Sequence, residues 1–234
     1  MIKRRPLWSL LFFFLALIFI TEIFLPGFAE NRLRIIFYEE TDSIDELQVN
    51  IRTFPALKIF SGRMDRVIIE STGVFVDGLY IDSFNVSYQD LVLEKGSFTG
   101  INTSLNVVIN EDALNEYINK KYPELGDFQL RIMPDQVLLQ GSIMLFDTAI
   151  NIRLSGNFVV TDRQMIYFVP EDFQLENIKI PKQLLKSYVE NIELVFHLKE
   201  LNIPLDIDEI KSGSAELTII GGNQEIIDSV TVNQ

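Results

Sequence analysis

Ile150, Ile152, Leu154, Gly156, Phe158 and Val160 take every second position of one stretch, and Asn151, Arg153, Ser155, Asn157 and Thr161 fill most positions between them. A period of two over about a dozen residues describes a strand with one apolar face and excludes a helix, whose apolar positions recur every three or four. At roughly 3.3 Å per residue the run is about 40 Å long, well beyond the usual five or six residues of a strand. Something must cover that face. The alternation recurs in Leu47, Val49, Ile51; in Phe84, Val86, Tyr88; in Ile101, Leu105, Val107, Ile109; and in Val137, Leu139, Ile143, Leu145. It returns in Leu194, Phe196, Leu198 and in Ala215, Leu217, Ile219. Short turns at Met133-Pro134-Asp135, Asp147-Thr148 and Asp162-Arg163-Gln164 leave no room for crossovers, so the sheet is antiparallel and residues 128–169 form a meander.

Strands are also expected from Met64 to Val76 and from Leu79 to Leu93. In the second, the apolar positions move from even (Phe84, Val86, Tyr88) to odd (Leu91, Leu93), which places a bulge near Gln89-Asp90. Ala56-Leu57-Lys58-Ile59-Phe60-Ser61 reads as a short apolar helical turn stopped by Gly62. Two helices interrupt the sheet. Asn110 caps the first, which carries the stripe Ala113, Leu114, Tyr117, Ile118; Pro181 opens the second, with Leu184, Leu185, Tyr188 and Val189 on one face. Laying both stripes on the apolar side of a curved sheet gives the expected fold class, α+β: a long, strongly curved antiparallel β-sheet wrapped around one or two amphipathic helices.

The N-terminus has a different pattern. Lys3, Arg4 and Arg5 precede an apolar run from Leu7 to Ile20 broken only by Ser9, the order of an export signal. Residues 1–29 are read as a signal anchor or signal peptide. Glu22 limits the fully apolar core, whereas Gly27-Phe28-Ala29 offers small residues for cleavage. Glu30–Tyr38 keeps a helical stripe (Leu33, Ile36, Phe37) as the chain leaves the membrane, and Glu39–Glu46 is expected to be an acidic turn. Residues 30–234 are expected to form a single extracytoplasmic domain, held at the membrane by a single pass or secreted if the segment is removed.

Composition narrows the chemistry. The net charge is −13, which opposes nucleic-acid binding because phosphate contacts need clustered cations. With no cysteine, thiolate sites are excluded, and a single histidine weakens most zinc readings. His197 shares the polar parity of Glu193 and Lys199, and no nucleophile elbow, phosphate loop or dinucleotide fingerprint is present. Asp42, Asp45, Glu46 and Asp206, Asp208, Glu209 lack EF-hand spacing. No cofactor, metal or catalytic residue is expected. What remains is apolar area, including 18 Phe and 7 Tyr.

The anchor is followed by Leu47 to Phe54 running into Pro55-Ala56-Leu57-Lys58-Ile59-Phe60-Ser61-Gly62. Gly78-Leu79-Tyr80 then leads into Phe84 to Leu93, and Val107-Val108-Ile109-Asn110-Glu111-Asp112-Ala113-Leu114-Asn115 comes after. In this order of features the chain resembles the LmeA-like phospholipid-binding proteins of the bacterial envelope, over roughly residues 20 to 222. The resemblance implies a relative of the tubular lipid-binding folds, in which a curved antiparallel sheet wraps a helix and encloses lipid tails. It carries over no binding residue position by position.

The expected function is therefore non-enzymatic binding of phospholipid, or a related acyl or polyprenyl tail, in an apolar groove, with possible transfer. The expected lining is Ile143, Leu145, Ile150, Ile152, Leu154 and Phe158 from the sheet, and Leu114, Tyr117, Ile118, Leu184, Leu185 and Tyr188 from the helices. Leu57, Lys58, Phe60, Arg63 and Arg66 are the candidates for a mouth near the bilayer. The expected partners are membrane lipid and, through the N-terminal helix, the bilayer itself; the sequence names no protein partner. The alternative is a structural or interaction protein of the envelope with a dry core.

Overall fold

The apolar N-terminal run folds as one helix, α1 (Arg5–Glu40), whose 36 residues rise about 54 Å at 1.5 Å each. This computed structural model describes residues 5–94, 97–121, 123, 128–145, 148–161, 165–175, 178–180, 195–197 and 206–222. Helix α1 runs straight through the segment expected to leave the membrane. The acidic stretch 39–46 is not a separate turn: α1 keeps Glu39 and Glu40, and the next strand starts at Ser43. The reversal is confined to residues 41–42, where the Asp42 N–H donates to the Phe75 carbonyl at 2.9 Å.

After α1 come β1 (Ser43–Arg52), a 3-10 turn (Ala56–Ser61), β2 (Arg63–Val76), β3 (Leu79–Glu94), β4 (Ser97–Asn110) and α2 (Glu111–Lys121). The meander follows as β5 (Gln129–Met133), β6 (Gln136–Leu145), β7 (Thr148–Thr161) and β8 (Met165–Leu175), with the short β9 (Ile178–Ile180) and β10 (Val195–His197). β11 (Ile207–Ser212) and β12 (Glu216–Gly221) complete the described elements. Two antiparallel six-stranded sheets result. One has the order β1-β2-β3-β4-β12-β11; the other runs β10-β8-β7-β6-β5, with β9 also paired to β8. Neither closes on itself. The second expected helix, with Leu184, Leu185, Tyr188 and Val189, lies outside the described residues, as do Leu194 and Leu198.

The period-two pattern translates into buried faces. Val67, Ile69, Phe84, Val86, Tyr88, Leu105, Val107, Ile109, Leu217 and Ile219 are buried in the first sheet. Leu33 of α1 is buried on that face with Ala29 and Phe37 packed beside it, and the Phe37 and Phe84 rings lie 6.2 Å apart. The expected bulge is present: the β3–β4 register shifts on both sides of Gln89, and Asp90 is left-handed with φ +47. A second parity change, at Gly73 (φ +62), brings Val74 and Val76 inward opposite Ile81 and Leu79. Ile101 departs from its expected place. Left-handed Asn102 (φ +49) turns Ile101 outward, 49% exposed, and buried Thr103 takes the inward position.

In the second sheet Leu130, Ile132, Val137, Leu139, Ile152, Leu154, Phe158, Ile166 and Phe168 face inward, with the Phe158 and Phe168 rings edge to face at 5.6 Å. The β7–β8 register slips between Ser155 and Gly156, where Pro170 sits in the partner strand. A Cβ on Gly156 would lie 2.1 Å from the Val169 carbonyl oxygen, so only glycine lets the bulge close.

Helix α2 joins the sheets. Asn110 caps it as expected, accepting from the Ala113 N–H at 2.7 Å, and Ala113, Leu114, Tyr117 and Ile118 are buried. Its polar side chains also serve the open edge of β5. The Leu130 N–H donates to Asn115 Oδ1 (2.7 Å), Asn115 Nδ2 donates to the Leu130 carbonyl (2.8 Å), and the Ile132 N–H donates to Glu111 Oε2 (2.6 Å). The Ala215 N–H, from the β11–β12 turn, donates to the Ile132 carbonyl at 3.1 Å. An edge that would otherwise present bare donors and acceptors is thus occupied.

Candidate functional site

The turn between β1 and β2 is built against α1. Gly62 ends the 3-10 turn in the left-handed conformation (φ +74), its N–H donating to the Ile59 carbonyl, and an added Cβ would meet the Leu93 carbonyl oxygen at 2.4 Å. Two carboxylates of α1 reach across. Glu22 Oε2 accepts the Ala56 N–H and Glu30 Oε1 accepts the Ile51 N–H, both at 2.9 Å. These are charge-assisted bonds between groups 34 and 21 residues apart, and they fix the turn beside the apolar helix. Glu22, which limits the apolar run in sequence, therefore has a structural partner.

Asp65 closes the turn from the other side. Its carboxylate accepts Lys58 Nζ and the Phe54 N–H, each at 2.8 Å. The hydrogen bond from Lys58, reinforced by that from Phe54, holds its pKa below the ordinary carboxylate value. Around this clasp the turn shows apolar side chains to the outside: Phe54 is 75% exposed, Phe60 74% and Leu57 44%. Arg63 and Arg66 are exposed at the start of β2. The five residues expected at a mouth are thus together, with Leu57, Lys58 and Phe60 on the turn and both arginines just after it. Sequence reasoning missed Phe54, Glu22, Glu30 and Asp65. Phe54 left a faint signal, since it lies off the parity of Leu47, Val49 and Ile51 directly before Pro55.

The expected lining is only partly described. Ile152, Leu154 and Phe158 of β7 and Leu114, Tyr117 and Ile118 of α2 are buried members of one hydrophobic cluster that spans both sheets. Ile150 is half-buried at the β6 end of its strand, opposite Ile143. The backbone of Ile143 and Leu145 belongs to β6 while their side chains fall outside the described residues, and so do Leu184, Leu185 and Tyr188 entirely.

Of the expected lining, Tyr117 lies far from the expected mouth. Lys120, at the end of α2, sits over the Phe75 ring at 5.8 Å, and Asp77, Gly78, Tyr117, Lys120 and Lys121 line a hollow of about 330 Å³. That hollow belongs to the β2–β3 hairpin, the opposite end of β2 from Arg63. The strand has 14 residues, so at about 3.3 Å each its ends are roughly 40 Å apart. Between them runs the inward row Met64, Val67, Ile69, Leu91, Tyr88, Val86 and Phe84, all buried. Burial pushes the Tyr88 phenol up to about 12. Among the described residues no cluster of three His, Asp or Glu side chains is placed to hold a metal. Asp45 and Glu209 are engaged locally, by Tyr80 (3.3 Å) and Lys211 (3.0 Å).

These features define the class: an open antiparallel β body with an N-terminal helix long and apolar enough to cross a membrane. The chain belongs to the LmeA-like phospholipid-binding family, whose model matches residues 20–222. That family is one of binding proteins and not a known enzyme family. Neither a curated protein nor a solved structure matches the chain.

Proposed function

We propose that this chain is a membrane-tethered lipid-binding protein. Helix α1 crosses the bilayer once, and residues 30–234 form one extracytoplasmic body that holds phospholipid, or a related polyprenyl or glycolipid tail, against the apolar side of its curved sheets. Family membership over residues 20–222 is the observation that carries the reading. The Lys-Arg-Arg cluster before the apolar run supports the orientation. Each buried acyl methylene contributes about 0.8 kcal/mol, so a tail burying about a dozen is held firmly even after the entropy cost of binding. The proposed lining is Ile143, Leu145, Ile150, Ile152, Leu154 and Phe158 with Leu114, Tyr117, Ile118, Leu184, Leu185 and Tyr188, reached from a mouth at Leu57, Lys58, Phe60, Arg63 and Arg66. With the proposed mouth at the Arg63 end of β2 and Tyr117 of the proposed lining at the other, the tail's route is the inward row of β2 and β3. Transfer between membranes would be an extension of the same binding.

One observation favours a second reading, an interaction protein with a dry core. Leu154, Leu114 and Ile118 are each 1% exposed, as packed core residues are. Native mass spectrometry of the full chain, stripped with detergent and then incubated with phospholipid liposomes, separates the two. A reproducible stoichiometric phospholipid adduct is expected. A clean apo mass before and after incubation would leave the dry-core reading standing.

A further inference from the structure

We propose that the turn bearing Phe54, Leu57 and Phe60, with the outward cations Arg52 and Arg66 beside it, is a second bilayer contact that sits at the headgroup level of an anionic lipid surface. The proposal rests on α1 spanning the membrane and requires no lipid inside the body.

Continuity with α1 is the first argument. The Ala56 N–H is bonded to Glu22, immediately after the apolar run Leu7–Ile20, and α1 exposes Phe19, Ile23, Phe24 and Phe28 around that level. A turn tied there lies at the depth where the helix leaves the hydrocarbon. Aromatic side chains with their rings three-quarters exposed are costly in water and favoured at this depth.

Charge is the second. Residues 52–66 carry Arg52, Lys58, Arg63 and Arg66 against the single acid Asp65, and with the carboxylates of Glu22 and Glu30 that α1 brings against the turn and β1 the local balance is still +1 (four minus three) in a chain of net −13. Asp65 is taken by Lys58. Arg52 and Arg66 are direct partners across β1 and β2, and both are exposed, because the neighbouring Ile51 and Val67 point inward. Like charges facing each other across a strand pair repel, and among the described residues neither arginine forms an ion pair. A phosphate bridging the two guanidinium groups would turn that repulsion into binding. The far end has the opposite sign: Glu39, Glu40, Asp42, Asp45, Glu46 and Asp77 lie where α1 ends and the β2–β3 hairpin turns, and against Lys120 and Lys121 there they leave −4 (six minus two). An anionic surface therefore attracts one end of the body and repels the other.

The chain has no cysteine, so an environment-sensitive fluorophore can be placed at one position at a time. F14C (α1), F60C (turn) and D77C (far hairpin) variants of the full chain would be labelled and reconstituted in phosphatidylcholine liposomes with and without phosphatidylglycerol. Nitroxide lipids labelled near the glycerol would serve as quenchers. The expected result is strong shallow quenching and several-fold brighter emission at position 60, an aqueous signal at 77, and weaker quenching at 60 in R52Q/R66Q only when phosphatidylglycerol is present. A position-60 label as aqueous as that at 77, with position 14 still in lipid, overturns the inference and leaves the anchor. If position 14 is aqueous too, both fall. Quenching at 60 that ignores both phosphatidylglycerol and the arginine substitutions overturns the anionic-headgroup contact.

Discussion

Asn115 and Leu130 are joined by two hydrogen bonds, in which a side-chain amide on α2 takes the place of a neighbouring strand for one backbone residue of β5. The amide supplies a donor and an acceptor with strand-like spacing, so the edge of the second sheet ends on a helix instead of in water.

Removing that amide tests its importance. N115A leaves the part-buried Leu130 N–H and carbonyl without partners, and the penalty expected is roughly 2–4 kcal/mol. N115D keeps the acceptor but sets a carboxylate against the Leu130 carbonyl, and is expected to be no better than alanine. Denaturant midpoints of the three proteins measure this; a loss below about 1 kcal/mol in N115A would show that water replaces the amide freely.

Leu154 tells groove from core. As a packed core residue at 1% exposure, its change to alanine should cost about 2–5 kcal/mol in the lipid-free protein. If tails lie on it, stability should fall less than lipid uptake. Thermal unfolding and liposome extraction, run on the same L154A sample, give the two numbers.

The Tyr88 phenol gives an alkaline signature. The folded chain keeps this proton up to about pH 12, whereas an unfolded tyrosine releases it near 10.0. Its contribution is complete below pH 10.0 and is lost as pH rises through the folded value, by roughly 2–3 kcal/mol in all. Urea midpoints between pH 9 and 12 should decline less steeply for Y88F than for the parent. Parallel declines would mean that Tyr88 ionises as freely as in water.

Glu22 holds the turn at α1. E22Q keeps an acceptor without its charge, and E22A loses both, so amides of residues 54–61 should exchange faster in the order parent, Gln, Ala. A charge-assisted bond of about 1.5–3 kcal/mol implies at least a tenfold effect in E22A. Hydrogen exchange followed by mass spectrometry reads it, and equal rates in all three would detach the turn from Glu22.

Much of this fold is legible in the residues because its signals are local. Alternation marks β7, the apolar helical turn before Gly62 marks the 3-10 turn between β1 and β2, Asn110 marks the start of α2, and the parity change in β3 marks the bulge at Gln89. What escapes is set by contacts between residues far apart. Nothing near Glu22 announces Ala56, and nothing near Asn115 announces Leu130, since a polar side chain on a helix reads as solvated until the element opposite is known. Ile101 misleads for a different reason: one left-handed residue, Asn102, reverses the face without changing the alternation. That Leu57, Lys58, Phe60, Arg63 and Arg66 lie together was legible from their closeness in sequence. The distance of that cluster from Tyr117 was not, because strand length becomes a distance only once pairing is known.

Helix α1 is continuous from the apolar run to the sheet that packs on it, and Glu22 and Glu30 lash the body to it twice. Such a body is a post set in a footing, not a buoy on a line. With α1 in a bilayer, its height and heading are fixed, and the β2–β3 hairpin stands roughly 40 Å out from the turn. On the proposed reading of a tethered lipid carrier, a second membrane would have to come to that tip.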